Sequence, residues 1–212
     1  MKTRSRARPW LIPAALILLG VLPLIGGVMR LTELASGDVT VGNQRFFAAP
    51  LPIVLHVVGS VVYFILGAFQ FSASWRALNP SWHRIAGRIV IPSGLLSALT
   101  GMWMAWTYPP ILGDGTAATV IRIVVGTCIV LFIGSGYAAI RRRDIAAHRA
   151  WMTRAYALAI AAGTQPLTLA PMIIFPQLYG ELGYTLGLAA GWVLNLAVAE
   201  WLIRTKPVAA AA

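Results

Sequence analysis

The run TVIRIVVGTCIVLFIGSGYAAI at residues 119–140, closed by Arg141, Arg142 and Arg143, decides the fold. It holds one charged side chain, Arg122, and at about 1.5 Å of helix rise per residue it can cross a hydrocarbon core about 30 Å thick. Five further runs of this kind flank it, at Trp10–Met29, Leu51–Trp75, Ile85–Tyr108, Trp151–Phe175 and Tyr184–Ile203. Of the 212 residues 58% are hydrophobic and 11% charged, whereas about a quarter of a soluble domain is charged. That composition excludes a cytosolic enzyme. It also excludes intrinsic disorder, because so apolar a chain buries surface readily. The expected fold is all-α, an integral membrane bundle of about six transmembrane helices forming a single domain over residues 1–212.

The net charge of +11 comes from 17 Lys and Arg against 6 Asp and Glu. The basic residues lie between the apolar runs, which is the pattern of membrane topology and not of a nucleic-acid surface. With the N-terminus inside, the cytoplasmic ends collect Lys2, Arg4, Arg6, Arg8, Arg76, Arg84, Arg88, Arg141, Arg142, Arg143, Arg149, Arg154, Arg204 and Lys206. Only Arg30, Arg45 and Arg122 remain outside, with Glu33, Asp38, Asp114 and Glu181. Positive charge is retained on the cytoplasmic side, so both termini are expected there. The first run follows a basic N-terminal stretch without a small-x-small cleavage site, and it reads as a signal anchor. The single cysteine, Cys128, excludes an intrachain disulfide, covalent c-type haem and iron–sulfur ligation. Any site must be built between helices.

On the second run His56, Ser60, Tyr63, Gly67, Gln70 and Ser74 share one helical face, and lipid cannot satisfy their polar groups. This stripe is expected to face the bundle interior or a cavity. The third run rises from His83-Arg84 along Gly87, Val90, Gly94, Ala98 and Gly101, and the fifth from His148-Arg149 along Met152, Ala155, Ala159 and Ala162. Both histidines thus stand at the foot of a face with few bulky side chains. Arg88 and Arg154 repeat above them, a weak internal duplication of a helical hairpin. Glu200 is the expected counter-ion at that depth, and Asp144, four residues before His148, either orients the imidazole or caps the helix. Pro166, Pro171 and Pro176 in the outer half of the fifth run each remove a backbone donor and bend the helix, which predicts a kink near Thr164-Gln165. The rows Ser93-xxx-Ser97-xxx-Gly101 and Gly183-xxx-Gly187-xxx-Gly191 let backbones approach closely, the second within the chain or against a second copy.

The segments GAFQF (67–71), PSWHRIAGR (80–88) and DIAAHRAWMTRAYAL (144–158) closely resemble the predicted membrane proteins grouped as domain of unknown function 2306. The likeness covers roughly His56 to Pro166, a family-like core over residues 50–170, and His56 matches a histidine expected there. Gln165 departs from the pattern, standing where an arginine is expected. The resemblance implies a multi-pass protein of the bacterial inner membrane.

Three functional readings compete. The leading specific one is non-covalent haem b, with His83 and His148 as axial ligands, Arg84, Arg88, Arg149 and Arg154 beside the propionates, and an electron-transfer or quinone-linked role. With three histidines in the chain, a second bis-histidine site has no ligands, and His56 stands alone. A second reading is a non-redox lipid or small-molecule binding or transport protein, with the His56–Gln70 stripe lining a cavity and the arginines holding an anionic headgroup. The third gives these residues a structural role in an assembly or accessory subunit. Tyr63, Gln70, Asp144 and Glu200 complete the candidate polar set, and a metal held by all three histidines is disfavoured by their different depths. No HExxH or Ser/His/Asp pattern speaks for a hydrolase.

Overall fold

The computed structural model describes residues 9–110 and 113–205. The expected cytoplasmic charges Lys2, Arg4, Arg6, Arg8 and Lys206 lie outside the described residues. The helices are α1 (Leu11–Leu19), α2 (Val21–Ser36), α3 (Gln44–Ala48), α4 (Pro50–Gln70), α5 (Ala73–Leu78), α6 (Pro80–Thr107), α7 (Thr116–Arg141), α8 (Ile145–Leu169), α9 (Pro171–Ile174) and α10 (Glu181–Thr205). Five spans are long and apolar enough to cross a membrane: α4, α6, α7, α8 continued by α9, and α10. The sixth is the bent pair of α1 and α2. Apolar side chains such as Leu131, Val193 and Trp201 stand exposed on the outside, which suits a lipid solvent. Helices α4, α6, α7, α8 and α10 pack in sequence, each against the next, and α1 and α2 lean on α4 and α8. One end of the bundle gathers Arg76, Arg84, Arg88, Arg141, Arg142, Arg143 and Arg149. We call it the basic end and its opposite the far end.

The first span is not the straight helix expected over Trp10–Met29. It bends by 55° at Gly20 and continues to Ser36. Pro23 has no amide for the carbonyl of Leu19, four residues back, and its ring crowds that carbonyl. Leu19 therefore turns its carbonyl onto Gly163 of α8, where a Cβ would stand 2.2 Å from the oxygen. At the bend itself a Cβ on Gly20 would stand 2.0 Å from the Phe64 ring. Two glycines thus seat the broken span against α4 and α8.

The fifth span is interrupted in the half where its prolines lie. Helix α8 runs unbroken through Thr164 and Gln165 to Leu169, and the interruption comes at Ala170, before Pro171. Polar side chains pin the stretch to α10: Thr164 Oγ1 donates to Asn195 Oδ1 (2.9 Å), Thr168 Oγ1 to the Gly187 carbonyl (2.7 Å) and Asn195 Nδ2 to the Ala157 carbonyl (3.1 Å). The same contact uses the glycine row of α10, since a Cβ on Gly187 would meet Leu169 and one on Gly191 would meet Gln165. That row packs within the chain, so its Gly187 and Gly191 are covered by α8.

The core lies between α4, α6, α7 and α8, around Tyr63, Val90, Ile133, Ala155 and Tyr156. Between α7 and α8 the chain turns tightly, with the Asp144 amide bonded to the Ala139 carbonyl and Arg143 in the left-handed region (φ 64°). Glycine usually fills that position of a helix C-terminus.

Candidate functional site

A cavity of about 550 Å³ opens in the far half of the bundle, between the bent first span and helices α4, α6, α7, α8 and α10. Its walls are largely apolar, and its polar lining includes His56, Ser60, Ser97, Gln165, Arg122 and Tyr184. The volume falls within the range of small-molecule sites. Close approach of α4 and α6 builds the polar part: a Cβ on Gly59 would stand 3.1 Å from the Ser93 carbonyl oxygen. At that separation Ser60 Oγ reaches Ser97 Oγ (2.6 Å), and His56 Nδ1 donates to the Ser97 carbonyl (2.9 Å). Thr100 Oγ1 lies 3.4 Å from the same ring nitrogen and donates to the Leu96 carbonyl (2.6 Å).

The tautomer follows. A carbonyl can only accept, so Nδ1 carries the proton, and the neutral ring presents the Nε2 lone pair. Among the described residues Nε2 has no hydrogen-bond partner, and the ring lines the cavity.

Two of the three far-end arginines pair with carboxylates, and Arg45 keeps its Nε buried without a partner. Arg122 pairs with Asp114 (2.5 Å) and donates to Tyr184 Oη (3.3 Å), and Arg30 pairs with Glu33 while lying 4.2 Å over the Phe46 ring. Arg45 stacks on the other contact of Phe46 at 4.7 Å and donates to the Pro109 carbonyl (3.1 Å). Burial lowers its pKa against the opposing effect of Asp114. Tyr108 Oη closes this end by donating to the Ala49 carbonyl (2.6 Å).

His83 and His148 both lie at the basic end, near enough to interact electrostatically, and neither lines the cavity. His148 Nδ1 donates to the Gly136 carbonyl (2.8 Å). His83 Nδ1 is buried without a partner. One turn above His83 a Cβ on Gly87 would meet nothing within 4 Å, and the filling begins higher on that face. A Cβ on Gly94 would stand 2.5 Å from the Tyr63 ring and 2.8 Å from Ile133, and Met152 packs on Gly136. At Gly94 the slot anticipated from the small residues of α6 is thus occupied by side chains of α4 and α7, while at Gly87 it is open.

The other candidates scatter. Arg154 Nε and Nη2 hold the two carboxylate oxygens of Glu200 at 2.5 and 3.0 Å, as expected, and Arg88 is exposed without an ion pair among the described residues. Asp144 caps α8 through the Ala147 amide (2.9 Å) and leaves the imidazole of His148 to Gly136. The α4 stripe divides: His56 and Ser60 face α6, Tyr63 and Gly67 meet Tyr156 of α8, and Ser74 falls in α5 beyond the end of α4. Tyr63 is 3% exposed and its hydroxyl has no partner, whereas Tyr156 donates to the Phe64 carbonyl (2.9 Å). Among the described residues no three His, Cys, Asp or Glu side chains gather as a metal site would need.

Sequence reading missed the pairing of Arg122 with Asp114 and Tyr184, and the buried, unpartnered Trp75 indole nitrogen next to an Arg76 that donates to the Gln70 carbonyl. The first was hidden by a separation of 62 residues between Arg122 and Tyr184. The second left a trace in the aromatic and basic pair itself, which stands between two spans.

A multi-pass helical bundle with a largely apolar, polar-edged cavity inside it is the class that this architecture defines. The family model for predicted membrane proteins of domain of unknown function 2306 matches residues 53–203, and the chain belongs to that family. No curated protein and no solved structure shows significant similarity to it.

Proposed function

We propose that the protein binds an apolar small molecule bearing a hydroxyl group in the intramembrane cavity, with that hydroxyl donating to His56 Nε2. The carrying observation is the His56–Ser97 hydrogen bond, which fixes an acceptor nitrogen toward a largely apolar cavity. A carbonyl or ether in the same place would meet lone pair against lone pair. Ser60 and Ser97 extend the polar edge, and the paired Arg122 and Arg30 leave the mouth without uncompensated charge, so a neutral ligand fits better than an anion. A hydroquinone with an alkyl tail has the required donor, which makes a quinone-linked role one form of this reading. Haem between His83 and His148 draws no such support, because neither histidine lines the cavity and Tyr63 with Ile133 occupies the upper part of the α6 face. We infer residence in a bacterial inner membrane with the basic end in the cytoplasm, supported by the charge distribution.

The test is anaerobic binding of a decyl-tailed hydroquinone and of the corresponding quinone to purified protein in nanodiscs. One buried hydrogen bond is worth about 1 kcal/mol, so the hydroquinone is expected to bind roughly fivefold to tenfold more tightly. His56→Leu is expected to abolish that preference. Equal affinities in the unaltered protein, or a preference that survives the substitution, contradict the reading.

A further inference from the structure

The basic end poses a different problem from the cavity. Gln70 Nε2, Trp75 Nε1 and His83 Nδ1 are all buried there without a hydrogen-bond partner. They belong to one neighbourhood: Arg76 Nη1 donates to the Gln70 carbonyl (2.5 Å), Trp75 and Trp82 meet at 5.7 Å between ring centroids, and Phe69 closes against both. The charges acting on His83 come from Arg76, His148 and Arg84, and Arg149 acts on Arg76. All are basic. Burial and Arg149 together lower the pKa of Arg76, with no carboxylate acting against them.

The chain holds six carboxylates, and four of them, Glu33, Asp38, Asp114 and Glu181, belong to the far end. Of the remaining two, Asp144 caps α8 and Glu200 is held by Arg154. A buried N–H without an acceptor costs free energy comparable to a lost hydrogen bond, and clustered cations add mutual repulsion. Water supplies an acceptor but no charge. A phosphate supplies several acceptor oxygens and negative charge together, and arginine recognises it well.

We propose that Gln70, Trp75, Arg76 and His83 form a phosphate-binding site at the basic end, distinct from the cavity and independent of the function proposed for it. The Trp75 indole N–H and the Gln70 amide donate to phosphate oxygens, Arg76 supplies the charge, and His83 donates through Nδ1–H. The phosphate is either the diester of an anionic lipid headgroup or free inorganic phosphate.

The experiment is the thermal unfolding of the purified full-length protein in a nonionic detergent. It is measured with short-chain phosphatidylglycerol, with phosphatidylcholine of the same chains, and with inorganic phosphate. At a hundredfold excess over Kd a bound ligand raises Tm by about 5 °C or more for a protein of this size. A rise with phosphatidylglycerol alone identifies the lipid headgroup, and a rise with inorganic phosphate identifies the free ion; either supports the site. Trp75→Phe and Arg76→Gln are each expected to remove at least half of the rise, while Arg142→Gln at the same end leaves it unchanged. Should Arg76→Gln fail to fold, Trp75→Phe decides, because it keeps an aromatic ring beside Phe69 and Trp82 while it deletes the donor. No rise with either phosphate, or an equal rise in Trp75→Phe, overturns the proposal.

Discussion

The two ends of the bundle handle polar groups in opposite ways. At the far end Arg30 and Arg122 each have a carboxylate within the chain, Arg45 Nε alone among the arginine nitrogens there is buried without a partner, and His56 spends one nitrogen on Ser97 and keeps the other for a cavity. At the basic end the cations outnumber the acids and three buried nitrogen atoms have no partner. The first arrangement suits a neutral guest with one donor, and the second suits an anion. Backbone position does not make this difference. His83 and His148 each bond their amides to residues four back, Asn79 and Asp144, in first turns that match, yet one imidazole is satisfied by Gly136 and the other is not. Function here is set by what the neighbouring helix offers.

The contrast breaks most completely at Gly163. An alanine there drives a Cβ into the Leu19 carbonyl, which backbone cannot easily yield, and destabilisation of about 3 kcal/mol is expected. Because the first span walls the cavity, Gly163→Ala should lose hydroquinone binding and keep the phosphate-dependent rise in Tm. Unfolding in detergent and the two binding assays check this, and loss of both together would show that the ends are not separable.

Glu200→Gln comes next. It strands Arg154, whose side chain is 22% exposed, so the full cost of a broken buried pair is reduced to about 1–2 kcal/mol. Adding Arg154→Gln should recover part of the loss in the same unfolding assay. Gly26→Leu sharpens the comparison without touching stability. A Cβ at Gly26 meets nothing within 4 Å, and the residue lines the cavity, so a larger side chain there takes up ligand space. Hydroquinone affinity should fall roughly tenfold, about 1.4 kcal/mol, with Tm unchanged. Ser60→Ala is the smallest change: losing the hydroxyl contact to Ser97 costs about 0.6 kcal/mol, the usual size of an interhelical hydrogen bond in a membrane.

Much of this architecture was legible in the sequence because a bilayer imposes length and hydropathy on every span. The runs around residues 119–140 and 184–203 differ from α7 and α10 by a few residues at their ends. The first span was harder, since Pro23 bends the helix only together with the seat that Gly163 provides, a partner 140 positions away along the chain. The α4 stripe was readable as polar, but helical periodicity says nothing of which neighbour each member meets. His56 found α6, and Tyr63 found α8. The small face above His83 was ambiguous for the same reason, and it divides into an open part at Gly87 and a filled part at Gly94. Small residues mark where something fits closely, and in this bundle the occupant is Tyr63 with Ile133. The glycine row of α10 proved to serve α8.

Ligand binding in the cavity depends on His56 offering an unprotonated Nε2 to it. Nitrogen-15 NMR of histidine-labelled protein in nanodiscs reads the two ring nitrogens separately. It is predicted to show His56 neutral with the proton on Nδ1, and an Nε2 resonance that moves when the decyl hydroquinone is added and stays still with the quinone. A proton on Nε2, or an Nε2 resonance indifferent to the hydroquinone, would contradict it.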